Sequence, residues 1–162
     1  MSSLIKNVFN SYTENARTLD EVKLGIFRAL DRIDCIEPKP NIRRGYVSGI
    51  LTTDGRDMIE TNFLRLESYT AFIRETSDFN IFSLTDIFNK KLMLKFICVP
   101  QEEWRLFWRA VIENGYITDI FMTPRWREST GAIDEHMIAH KIKLKVHDME
   151  NSEHLLDLLR KY

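Results

Sequence analysis

The residues best placed to do chemistry cluster near the C-terminal end of the chain, where all four histidines lie: His136, His140, His147 and His154. In Asp134-Glu135-His136-Met137-Ile138-Ala139-His140 two imidazoles stand four residues apart. On a helix that spacing puts both on one face, where they could share a zinc ion. The likeness to H-E-x-x-H is incomplete, because the acid precedes the first histidine and a general base would sit on the wrong side of a metal-bound water. If His140 instead opens a strand, the shared face is lost. It then packs on an apolar face while His136 lies in a loop.

A second constellation is Arg125-Trp126-Arg127, an indole between two guanidinium groups. It can stack a nucleobase, and it also has the composition of a protein-interface hot spot. It falls in the segment Pro124–Asp134, which reads as a polar loop longer than an ordinary strand connection and so as a recognition loop, the alternative being that Trp126 folds back on the core as the end of its strand. Lys141, Lys143 and Lys145 alternate with Ile142, Leu144 and Val146. A strand over 140–147 would line up the lysines on one face, able to meet phosphates or simply to keep an edge strand soluble.

Other catalytic patterns are missing. Ser129-Thr130-Gly131 has no G-x-S-x-G elbow around it. Gly45 and Gly49 sit in a strand-like run without the spacing of a phosphate loop. Asp54 and Asp57 flank a turn, where aspartates ordinarily cap their own backbone. Cys35 and Cys98 belong to no C-x-x-C pair and read as buried thiols acting as small hydrophobes.

These groups need elements to hold them. Leu4, Ile5, Val8, Phe9, Tyr12 and Ala16 approximate a helical stripe over 4–16. Thr18-Leu19-Asp20-Glu21 is a capping box opening a second helix that ends before Pro38. Pro38 and Pro40 stiffen a link to a different pattern. Strands are expected over 45–53 and 58–66, joined by a hairpin at Asp54-Gly55, with 69–73 extending the sheet. Ser83 starts a short helical turn, and alternating Leu92, Leu94, Phe96 and Cys98 predict a strand over 91–99. The clearest element is a helix over 100–114, with Pro100 and two glutamates at its start and Gly115 after it. Its Trp104, Phe107, Trp108, Val111 and Ile112 stripe covers the core. A strand over 116–123, the lysine-bearing strand and a final helix capped by Asn151 or Ser152 complete the order. With no regular strand–helix alternation, the expected class is α+β: an N-terminal helical pair (1–37), then a sheet-rich body (45–162). The body would hold a mainly antiparallel sheet packed on the 100–114 helix and the C-terminal helix, all within one domain.

At 162 residues, 44% hydrophobic and 29% charged, the chain is long enough to bury its own core. Its net charge of -1 lacks the basic excess of a dedicated nucleic-acid binder. No signal peptide and no long apolar run are apparent, so a cytoplasmic, membrane-free protein is expected by elimination. Scarce alanine beside plentiful Ile, Asn, Phe and Lys suits the AT-rich coding of bacteria or phages. Three readings of function follow. The first is a non-enzymatic protein-binding or regulatory accessory domain contacting an unknown partner through Arg125, Trp126 and Arg127. The second is a nucleotide- or nucleic-acid-binding module adding Lys141, Lys143 and Lys145. The third is a metal-dependent hydrolase around His136 and His140. No organic cofactor is expected.

Overall fold

The computed structural model describes residues 2–162. Two helices open the chain, α1 (Ser2–Thr13) and α2 (Leu19–Ile36). Thr18 caps α2 as its sequence predicts: Thr18 Oγ1 accepts from the Glu21 backbone N–H at 3.2 Å. The Glu21 carboxylate accepts from the N–H of Arg17 at 2.7 Å, the residue before the cap, rather than from Thr18, so only the Thr18 half of the expected box forms.

After β1 (Arg44–Ser48) the expected hairpin does not form. Gly55, at φ 94°, leads into a 3-10 turn at Arg56–Met58 and then into α3 (Ile59–Glu75), where strands were expected. The residues α3 buries are Asn62, Leu66, Tyr69, Thr70, Ile73 and Arg74. Their spacing is helical, but half of them are polar, which hides the period from a hydrophobicity reading. β2 (Asn80–Ser83) runs directly into α4 (Leu84–Ile87), where Ser83 and Asp86 form a capping box. The expected strand over 91–99 is instead α5 (Lys90–Lys95) and a turn, with Leu92 and Phe96 buried. Cys98 and Cys35 are both exposed, which corrects their reading as buried thiols. The strongly patterned helix is α6 (Gln101–Glu113). It is followed by β3 (Asp119–Met122), a 3-10 turn at Trp126–Glu128, α7 (Thr130–Lys141), β4 (Lys145–Asp148) and α8 (Glu153–Lys161).

The four strands form one sheet in the order β2-β1-β3-β4, and all three pairings are parallel. A parallel sheet overturns the expected mainly antiparallel one. Each of the first three strands is followed by a helical crossover that carries the chain back to the same end of the sheet, which parallel neighbours require. β2 and β3 are buried along their whole length, and β1 at every residue after Arg44. Their unbroken apolar runs, such as Ile120-Phe121-Met122, are what a sheet covered on both faces demands.

Side-chain alternation along β1 defines the two faces. Tyr46 stacks on Trp108 of α6 with ring centroids 5.1 Å apart. Gly49, in phase with Gly45 and Val47, looks the other way toward Leu66 of α3. α6 and α7 pack together on the first face, flanked by α1 and α2, whereas α3 and α8 pack together on the second. β1 has β2 on one side and β3 on the other. The crossover helices that follow β1 and β3 therefore cover opposite faces, and their connecting loops part at the carboxyl ends of these two strands. Open parallel sheets bind ligands at such a switch point. Among the described residues no helix is long and apolar enough to cross a membrane.

Candidate functional site

The loops leaving β1 and β3 are tied together at their bases. Ser48 O accepts from the Thr123 backbone N–H at 3.1 Å and from Thr123 Oγ1 at 2.9 Å. A Cβ at position 49 would run into Thr123 Oγ1, so glycine lets the two loops approach this closely. Farther out, Arg125 donates to Asp54 at 2.8 Å and to Glu128 at 3.1 Å. The Arg125 guanidinium beside it holds the Asp54 carboxyl below its ordinary range, aided by Asn62. Arg125 itself occupies the left-handed region at φ 65°, a conformation that costs a non-glycine residue and persists where the surroundings impose it.

On the α6/α7 face of the same strand ends stands Glu135. It comes from the second turn of α7, a helix whose N-terminus is fixed by Ser129 Oγ accepting from the Ala132 N–H at 3.3 Å. α7 buries Ala132, Glu135, Ile138 and Ala139, so the glutamate occupies a place in the apolar stripe. Its Oε2 accepts from Ser48 Oγ and its Oε1 from Tyr46 Oη at 3.4 Å. Tyr46 and Ser48 are each 1% exposed and Glu135 is 8% exposed. No cation pairs with Glu135 among the described residues. Burial pushes its carboxyl up to about 7, against the pull of the two hydroxyls and with a further push from neighbouring Asp134. Burial and the Glu135 charge likewise raise the Tyr46 phenol well above its ordinary value, so it stays a hydrogen-bond donor. The result is a carboxyl group that populates both protonation states near neutrality, oriented by two donors.

The residues singled out from sequence are distributed differently from expectation. Trp126 is buried at 5% exposure. It stacks on His136 at 4.3 Å, donates from Nε1 to Asp148 at 3.3 Å, and lies under the Arg127 guanidinium at 4.4 Å. The long loop is therefore mostly a 3-10 turn and the first turns of α7. Arg127 stays exposed and pairs with Asp148 and Glu150, at 2.8 and 3.1 Å. The lysine row is not a strand face: Lys141 ends α7, Lys143 adopts φ 62° just beyond it, and only Lys145 enters β4. His136 and His140 do share a helix face, with Nε2 atoms 3.1 Å apart, because α7 continues through His140. Burial and the His140 charge lower the His136 pKa. Two nitrogens leave a zinc site incomplete, and no group of three metal-ligating side chains gathers among the described residues.

Tyr46 and Ser48 escaped the sequence reading, and Glu135 entered it only as the acid preceding His136, on the wrong side for a metal-bound water. The signal that could have found them is a lone glutamate in the stripe 132, 135, 138, 139. It stays invisible while 124–134 is read as loop. Comparison with protein-family models, curated proteins and solved structures returns no significant match to this chain.

Proposed function

We propose that this protein is an enzyme acting on a small molecule at the carboxyl ends of β1 and β3, with Glu135 as the group that gives and takes a proton. The observation that carries this reading is a buried carboxyl held by two hydroxyls and facing no cation. Such a group works against the fold, since an unpaired buried charge costs stability that a glutamine or leucine would not. Perturbed carboxyls of this kind concentrate where proton transfer is needed. Tyr46 and Ser48 orient the carboxyl and stabilise its charged form, while Trp108, stacked on Tyr46, fixes the phenol. Placement at a switch point supports the same conclusion independently of the titration.

A partner-binding role centred on Trp126 draws less support, because the indole is packed between Arg127 and His136 and offers little surface to a partner. The experiment has two arms. Carboxyl-carbon NMR of Glu135 should titrate about two units above an ordinary glutamate. In a turnover screen over small-molecule classes, Glu135→Gln should lower any activity found by roughly a hundredfold or more. An ordinary Glu135 titration, or an activity that survives Glu135→Gln, would overturn the proposal.

A further inference from the structure

Two consecutive residues of α6 reach Glu135 by separate routes. Trp108 stacks on Tyr46, whose phenol donates to the carboxyl. Arg109 donates from Nη2 to Asp134 Oδ1 at 2.8 Å, and Asp134 is the residue before Glu135 on α7. Arg105, one turn earlier on α6, reaches the same oxygen at 3.4 Å and also pairs with Glu102. The Asp134 side chain is 14% exposed, so water screens its charge only in part. Holding it leaves Arg109 with a buried Nε that has no hydrogen-bond partner, which is rare in a folded protein. Asp134 is the charged neighbour that presses on Glu135. The other charged groups on elements packed against α7 are engaged elsewhere: Arg127 with Asp148 and Glu150, Glu128 with Arg125, and His147 with Asp119. His136 and His140 face each other, and Glu103, Glu113, Lys141 and Lys145 are exposed.

We infer that the Arg109–Asp134 pair is a positioning device for Glu135: Arg109 holds the second turn of α7 against α6 and screens the Asp134 charge from the neighbouring carboxyl. The inference rests on the reading of Glu135 as the proton-transfer group and adds the residues that set the pH at which it works. A nearby anion favours the protonated carboxyl, and a nearby cation favours the ionised one. Asp134 and Arg109 therefore pull the same group in opposite directions.

Carboxyl-carbon NMR of Glu135 across pH, in the full chain and its variants, tests this. Asp134→Asn should lower the Glu135 midpoint by about half a pH unit or more, and Arg109→Met should raise it by a similar amount. The opposite signs are the signature, since both variants break the same ion pair. A pair that merely fastened α7 to α6 would, once broken by either change, let water reach Glu135 and lower the midpoint in both. Arg109→Lys keeps the positive charge and should return the midpoint close to that of the wild type. Asp134→Asn combined with Arg109→Met leaves neither partner unpaired, and it should titrate above Asp134→Asn alone. This double variant carries the test if Arg109→Met does not fold by itself. A midpoint lowered in both single variants, or unmoved in either, overturns the pair. So does a double variant that titrates no higher than Asp134→Asn. The wild-type midpoint decides the catalytic reading separately. Opposite shifts about an ordinary glutamate value would uphold the pair and sink that reading, and a high wild-type midpoint without them would do the reverse.

Discussion

At the scale of single residues, Glu135 carries a cost that can be measured without a substrate. Its folded carboxyl titrates near 7, above its value of 4.5 in an unfolded chain. The folded state therefore binds the proton more tightly, and stability contributed by the protonated form is lost as pH rises from the unfolded to the folded value. Glu135→Gln removes this dependence. It should be close to the wild type at about pH 5 and more stable by on the order of 3 kcal/mol at about pH 8. Urea denaturation at the two pH values checks this, and an unchanged difference would mean that the carboxyl is solvated. Trp126 offers a second residue-level test. An exposed hot-spot indole can be truncated with little effect on folding, but one stacked between Arg127 and His136 cannot. Trp126→Ala should cost about 3 kcal/mol in the same assay.

At the scale of elements, two backbone features decide how the site is held. Lys143 follows α7 in the left-handed conformation at φ 62°, and the Leu144 N–H closes back on Ala139 O at 2.9 Å. This is a left-handed helix stop in which glycine is the usual residue. Lys143→Gly should therefore raise stability by about 0.5 kcal/mol, the relieved strain exceeding the added freedom of the unfolded chain. The alternation of Lys141, Lys143 and Lys145 with Ile142, Leu144 and Val146 has the period of a longer strand. A helix stop and a short strand place the same residues with no common face. Gly49 is the other feature. Gly49→Ala would push Cβ into Thr123 and part the loops of β1 and β3, costing about 1–3 kcal/mol. Combined with Thr123→Ala the losses should be less than additive, because both changes act on one contact. Elements with strong end signals were legible in sequence: the Thr18 cap, the Ser83 cap and the α6 helix all stand where expected. α3 was not, since its buried face includes Asn62, Thr70 and Arg74, and a reading of apolar spacing passes over them.

For the whole molecule, opposing titrations set the pH of greatest stability. Asp119 is held low by Arg43, His147 and Thr118 despite its burial, and Asp54 is held low by Arg125. Groups with lowered folded values add stability that is lost as pH falls through them. Glu135 and Asp86 are pushed up by burial, the latter against the pull of Arg74, and their contribution is lost as pH rises. Stability should therefore peak in mildly acidic solution, near pH 5, and decline toward pH 8 as well as toward strong acid. A series of melting temperatures across pH should show this maximum, and Glu135→Gln should flatten its alkaline side.

By itself the sequence determined the two N-terminal helices, α6 with its aromatic stripe, and the absence of a basic excess. These depend on local spacing, caps and charge, all of which are written in consecutive residues. The direction of the strands was decided only by the tertiary structure. An apolar run such as Ile120-Phe121-Met122 is equally compatible with parallel and antiparallel neighbours until the crossovers around it are known. The site followed from the same decision. Tyr46 and Ser48 are separated from Glu135 by 89 and 87 residues. The parallel sheet with its switch between β1 and β3 brings them together beside the same strand ends.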